Sequence, residues 1–124
     1  MRGVWLTGHG GFEQREVRSD IPVPQPGPTD VLVQVSAAGV NNTDINTRLA
    51  WYSKQDGASE DASWGGTPIQ FPLIQGIDVC GRVVAVGEQI SRDRIGERVL
   101  IEPCLWEVQG QTLEQPWFLG SECG

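Results

Sequence analysis

The sequence has one lysine (Lys54), one histidine (His9) and one tyrosine (Tyr52) among its 124 residues. Eight scattered arginines complete its cations, against sixteen acidic residues, and the net charge is −7. A basic face for nucleic acid is excluded, since nothing here would displace a phosphate counterion atmosphere. A histidine-based triad would have to use His9, which sits in a glycine-rich run with no nucleophile beside it. No apolar run approaches the ~20 residues of a membrane span. The opening Met1 to Gly8 is too short in its apolar stretch for a signal peptide. A soluble, cytoplasmic chain with neither nucleic-acid nor membrane partners is expected. The three cysteines, Cys80, Cys104 and Cys123, form no Cys-x-x-Cys pair and are expected as reduced thiols, with Cys80 a small core residue. Zinc would need three or four of His9, Asp78 and the cysteines to converge, and no two carry ligand spacing. The only glycine cluster, Gly8-His9-Gly10-Gly11, precedes no long helix. It therefore meets neither the dinucleotide fingerprint nor the P-loop and reads as a hairpin tip.

Glycine and proline, by contrast, are abundant, with sixteen and eight residues spread as punctuation between short apolar runs. That is the pattern of an all-β domain, and the length suits one domain with a core of its own. Strands are predicted at Val4 to Thr7, Glu13 to Arg18, Asp30 to Val40, Val79 to Val86 and Glu97 to Ile101. In the third, Val31, Val33 and Val35 share one face, so that side is expected to be buried. The four prolines of Ile21 to Pro28 force an extended surface segment ending in a Pro-Gly-Pro turn. Thr43 to Leu49 is the one convincing short helix, with Asn42 or Thr43 as cap and Asp44 near its positive end. Ser53 to Pro68 reads as a polar surface loop. The last twenty residues show no periodicity.

Five segments together resemble the amino-terminal domain of the medium-chain dehydrogenase/reductase superfamily. The opening Val4 to Glu13 is similar to the first hairpin of the superfamily's quinone oxidoreductase branch. Pro24 to Val35 resembles its Pro-x-Pro-Gly-x-x-(Asp/Glu)-Val-Leu-Val strand entry, and Gly39-Val40-Asn41-Asn42-Thr43-Asp44 its Gly-Val-(Cys/Asn)-x-x-Asp motif. Gly76-Ile77-Asp78-Val79-Cys80-Gly81-Arg82-Val83 through Gly87 resembles the Gly-x-(Glu/Asp)-x-x-Gly-x-Val block, continued by Gly96-Glu97-Arg98-Val99. The resemblance implies a mainly β, GroES-like fold: a partly open β-barrel with one or two short helices. It would form the substrate side of a hydride-transfer cleft over residues 1–124. The NAD(P)-binding Rossmann domain is expected to be missing from this chain, which would then be a fragment or a truncated product, inactive alone.

The resemblance also carries residue roles. Zinc-dependent relatives place a Cys, a His and a Glu where this sequence has Asn41, Ile77 and Asp78, so catalytic zinc is expected to be absent. Asn41 with Asp78 is the pattern of the zinc-independent branch, which reduces quinones or α,β-unsaturated ketones with NADPH (or NADH). Asn41 and Tyr52 are implied to polarise the carbonyl and Thr43 to relay a proton, with Asn41 and Asn42 touching the cofactor. For Asn41, a helix-capping turn residue is the reading that the local chemistry alone prefers. For Thr43 a cap is an equal alternative, and for Tyr52 a packing role at the loop base. Asp44 and Asp78 are implied to orient groups around the site. Asp78, if buried in its apolar strand, needs a partner such as Arg48 or Arg82. Two other functions remain open: an alcohol/ketone dehydrogenase domain, and a stand-alone binding module. The module would dimerise or bind partners through an unsealed edge after Ile101 and exposed Trp106, Trp117 and Phe118.

Overall fold

The computed structural model describes residues 1–54, 63–65, 67–108 and 110–123. The predicted loop from Ser53 to Pro68 falls mostly outside them. β1 (Gly3–Leu6) and β2 (Arg15–Arg18) form one antiparallel hairpin with Val4 opposite Val17. β3 (Val31–Ala38), β4 (Val79–Val86) and β5 (Arg98–Leu100) form an antiparallel sheet in the order β3-β4-β5. β6 (Cys104–Val108) and β7 (Gln111–Phe118) make a second hairpin. One α-helix, α1 (Asn42–Arg48), follows β3, and three short 3₁₀ turns complete the elements described. The sheets are open and none closes into a barrel.

What joins these pieces is a small core of Leu6, Ile21, Ile69, Leu73, Ile77 and Val83. Leu6 and Leu73 exchange both backbone hydrogen bonds, at 2.8 and 2.9 Å, and so tie the first hairpin to the segment before β4. The proline-rich stretch runs extended, as its fixed φ values require. It turns at Gly27, whose N–H donates to Asp30 Oδ2 at 2.9 Å, and docks on β4's end through Gly87 N to Asp30 O at 2.8 Å. At Gly81, a side chain would meet Gln34 O at 2.2 Å, so only glycine lets β3 and β4 approach this closely.

Four expectations need correction. β3 does not bury one face: Val31 to Val33 are half-buried, but Val35 is 57% exposed and the strand's end lies open. Register shifts between Leu32 and Val33 and between Val35 and Ala37 break the alternation that the prediction assumed. Cys80 is half-buried rather than core. The final residues are a hairpin, turned at Gly110 with φ +76°. Phe118 is half-buried against Trp64, with ring centroids 4.2 Å apart, whereas Trp106 is 58% exposed.

The glycine-rich tip between β1 and β2 is docked on the end of α1. Gly10 N donates to Arg48 O at 2.9 Å, Arg48 Nη1 to Gly10 O at 2.6 Å, and His9 Nδ1 lies 2.9 Å from Thr47 O. At the other end of the chain, Glu122 gathers donors from the 63–65 segment and from β7. Its carboxylate accepts from Ser63 Oγ, from Gly65 N at 2.8 Å and from Phe118 N at 2.8 Å. Ser63 and Ser121 are both 1% exposed. No helix among the described residues is long and apolar enough to cross a membrane.

Candidate active site

The residues singled out between β3 and α1 meet around Asn41. Asn41 is the N-cap of α1, in an extended conformation (φ −112°, ψ 154°). Its Oδ1 accepts from Thr43 N at 3.1 Å, and Asp44 Oδ2 accepts in return from Asn41 N at 2.8 Å. This reciprocal capping satisfies two amides at the helix start that have no partner within the helix. With the oxygen so engaged, the amide nitrogen must face away from the helix. It donates to Asp78 Oδ2 at 3.2 Å. Asp78 is in turn held by its backbone, whose carbonyl accepts from Gly39 N at 2.8 Å where β3 and β4 meet. Gln75 Nε2 donates to Asp44 O at 2.9 Å, fixing α1 to the same segment.

Asn41, Thr43, Asp44 and Asp78 are thus brought together. Thr43 gives the cap its backbone N–H, while the capping side chain is that of Asn41. Asn42 is exposed at the first helical position. Tyr52 is not part of this cluster. It lies beyond the other end of α1, separated by seven helical residues, or roughly 10 Å. There its ring meets that of Trp51 edge-on at 5.3 Å. Ala50, with φ +55°, ends the helix and turns the chain towards it.

Asp78 needs correction as well. It is exposed rather than buried, and its partner is Asn41 rather than an arginine. Arg48 is taken up by Gly10 O and by the ring of Phe12 at 4.9 Å, and Arg82 donates to Gly96 O at 2.8 Å. Sequence reasoning passed over Gln75 altogether, because a glutamine donating to a helix carbonyl leaves no spacing signature.

The alcohol dehydrogenase GroES-like domain matches residues 27–124. The chain belongs to that family. Among its relatives, this GroES-like domain is 34% identical to the quinone oxidoreductase of Lama guanicoe, over 80% of this chain and 26% of the relative. A solved structure of a candidate alcohol dehydrogenase from Sinorhizobium meliloti 1021 superposes with a TM-score of 0.81 at 39% identity. It covers 99% of the domain, which spans 35% of that protein. An NAD-dependent alcohol dehydrogenase structure gives a TM-score of 0.75 at 30% identity, over 99% of this chain and 34% of the other. The domain thus spans a quarter to a third of the length of these relatives.

The donor set around Asn41 fits zinc poorly. Ile77 is buried and has no donor atom, Asn41 Oδ1 is engaged by an amide, and the Asp44 carboxylate is taken up by Asn41 N, which leaves Asp78 with no soft or imidazole ligand beside it. Among the described residues, no three His, Cys, Asp or Glu side chains lie together as a metal site.

Proposed function

We propose that this domain is the substrate side of an NAD(P)H-dependent oxidoreductase that reduces a quinone or an α,β-unsaturated carbonyl without zinc. The observation that carries the reading is the fixed orientation of Asn41. Its oxygen caps α1 and one amide hydrogen goes to Asp78, so the second amide hydrogen is aimed by both and is available to a substrate oxygen. A donor held in place before the reaction is worth more than one that must reorient as charge develops on that oxygen. Asp44 and Asp78 act as positioning residues, holding the backbone and the amide of Asn41 respectively. Thr43, two residues on and half-buried, has a hydroxyl free of the cap to move a proton, and Tyr52, past the far end of α1, would reach only a substrate long enough to extend along the helix. Asn42, exposed beside the cap, faces the cofactor together with Asn41. A bound nicotinamide cofactor would supply the hydride, and a Rossmann-type domain outside these 124 residues would hold it. The 39% identity to a candidate alcohol dehydrogenase favours a second reading, in which the substrate is a saturated ketone or an alcohol.

The test is to recover the polypeptide from its cells with an antibody against this domain and measure its intact mass and its turnover. Relatives of roughly three times this length set the expected size. NADPH oxidation with a benzoquinone or an enone, unchanged by a strong zinc chelator, supports the proposal. Turnover of alcohols alone, or loss of turnover on chelation, sinks it in favour of the second reading. A species of 13.5 kDa would leave a binding module.

A further inference from the structure

Among the described residues, four of the eight arginines meet a carboxylate or an aromatic ring. Arg18 lies between Glu16 and Asp20, Arg94 meets Glu97, and Arg15 and Arg48 stack on Phe12. Arg82 and Arg98 are different. They stand directly opposite each other on β4 and β5, and among the described residues neither has a carboxylate within ion-pair distance. Like charges in direct cross-strand register destabilise a sheet. The same face holds a concavity of about 520 Å³, lined by both arginines together with Ser36, Cys80 and Leu100. Arg82 is anchored by a backbone carbonyl, Gly96 O at 2.8 Å, which orients its guanidinium without cancelling its charge. Leu100, 85% exposed, supplies an apolar wall beside the two forks.

We propose that this concavity binds an organic phosphate monoester. The dianion would bridge the guanidiniums of Arg82 and Arg98, and its organic group would cover Leu100. Two forks with two positive charges match a dianion better than a single carboxylate, because each can chelate a pair of phosphate oxygens. Ser36 adds a hydroxyl donor on the rim. The site lies on the β4–β5 face and uses none of the residues around Asn41.

The test is amide NMR on this chain at low ionic strength, titrated with phenyl phosphate and separately with inorganic phosphate. The expected result is a saturable shift of the amides of Ser36, Cys80 to Arg82 and Arg98 to Leu100, half-complete below about 10 mM phenyl phosphate. Phenyl phosphate should bind about 3- to 10-fold tighter than inorganic phosphate, from the area buried on Leu100. Arg82→Gln and Arg98→Gln should each weaken binding about tenfold, while Arg92→Gln leaves it unchanged. Without ligand, Arg98→Gln should raise the Tm by about 1–3 °C, because the repulsion is relieved while Arg82 keeps its bond to Gly96 O. Arg82→Lys keeps the charge without the fork, so it should fold normally and bind several-fold more weakly. Absence of a saturable shift, shifts centred elsewhere, or binding that survives the double Arg→Gln change overturns the proposal. Equal affinity for the two phosphates overturns the organic monoester as the ligand.

Discussion

At the scale of single residues, Asn41 separates two roles that usually travel together. Replacing it with leucine removes the cap and should cost about 1 kcal/mol of stability, measurable by urea denaturation. Serine keeps an oxygen for Thr43 N but has no amide to offer Asp78 or a substrate. Asn41→Ser should therefore leave stability within a few tenths of a kcal/mol. Under the proposed function it should also lower kcat/KM for quinone or enone reduction by about 10²-fold. Equal turnover in the Ser variant would remove Asn41 from the carbonyl. Asp20 offers a separate reading of local charge. Hydrogen bonding from Arg18 holds its carboxyl at about 2, well below its ordinary value. A carboxyl depressed in the folded state lends stability above its ordinary range and loses it as pH falls towards 2. Arg18→Gln should raise the Asp20 titration, followed by carboxyl-carbon NMR, towards its ordinary value, with the backbone hydrogen bond at Asp20 keeping it somewhat below.

At the scale of elements, what could be read from the sequence depended on whether a segment's partner left a local trace. α1 was legible because its acidic first turn and following residues lie within eight positions of one another, although its cap is Asn41 and not Asn42 or Thr43 as the helix pattern suggested. β4 was legible from four valines in eight residues between Gly76 and Gly87. The hairpin of β6 and β7 was not, because Pro116 interrupts the pattern and Leu105 and Glu107 lie across a register shift. The cap at Asn41 was legible as the plainer of two readings. Its link to Asp78 was not, since 37 residues separate the two and only the β3–β4 register brings them together. The same holds for Glu122, whose donors come from residues 63–65 and from β7. Glu122→Gln puts an amide NH₂ against backbone donors and should cost about 1–3 kcal/mol in urea denaturation. Its neighbour Cys123 has a thiol pushed up by burial and then by the Glu122 carboxylate. A thiol raised on folding keeps its stabilising proton at neutral pH and loses it only as pH climbs through the raised value. Cys123 should therefore alkylate more slowly with iodoacetamide than an unfolded control at pH 8, with the gap closing as pH rises.

At the scale of the molecule, the core is small and several large apolar side chains are uncovered, among them Val17, Val35 and Val40. Surface of that kind is commonly covered by another part of a polypeptide or by a second copy. The open edge of β5 and the hairpin that carries Trp106 and Trp117 are where a homodimer would form. Sedimentation equilibrium of the chain alone should show a dimer that Trp106→Glu dissociates; a monomer at all concentrations would remove that interface. The fold class was open to sequence reading because glycine and proline lie close to the ends of every strand but β2. Closure was not, because whether sheets join depends on contacts between segments far apart in the chain.

The pairing of β3 with β4 also has a consequence for synthesis. Val31 finds its partner in Val86, 55 positions further along the chain. At about 5–20 residues per second, a ribosome delivers that partner roughly 3 to 10 seconds after β3 itself. Throughout that interval the run Val31-Leu32-Val33-Gln34-Val35 has no strand of its own to pair with. It is the segment through which newly made chains would meet one another, or a chaperone, before the sheet exists.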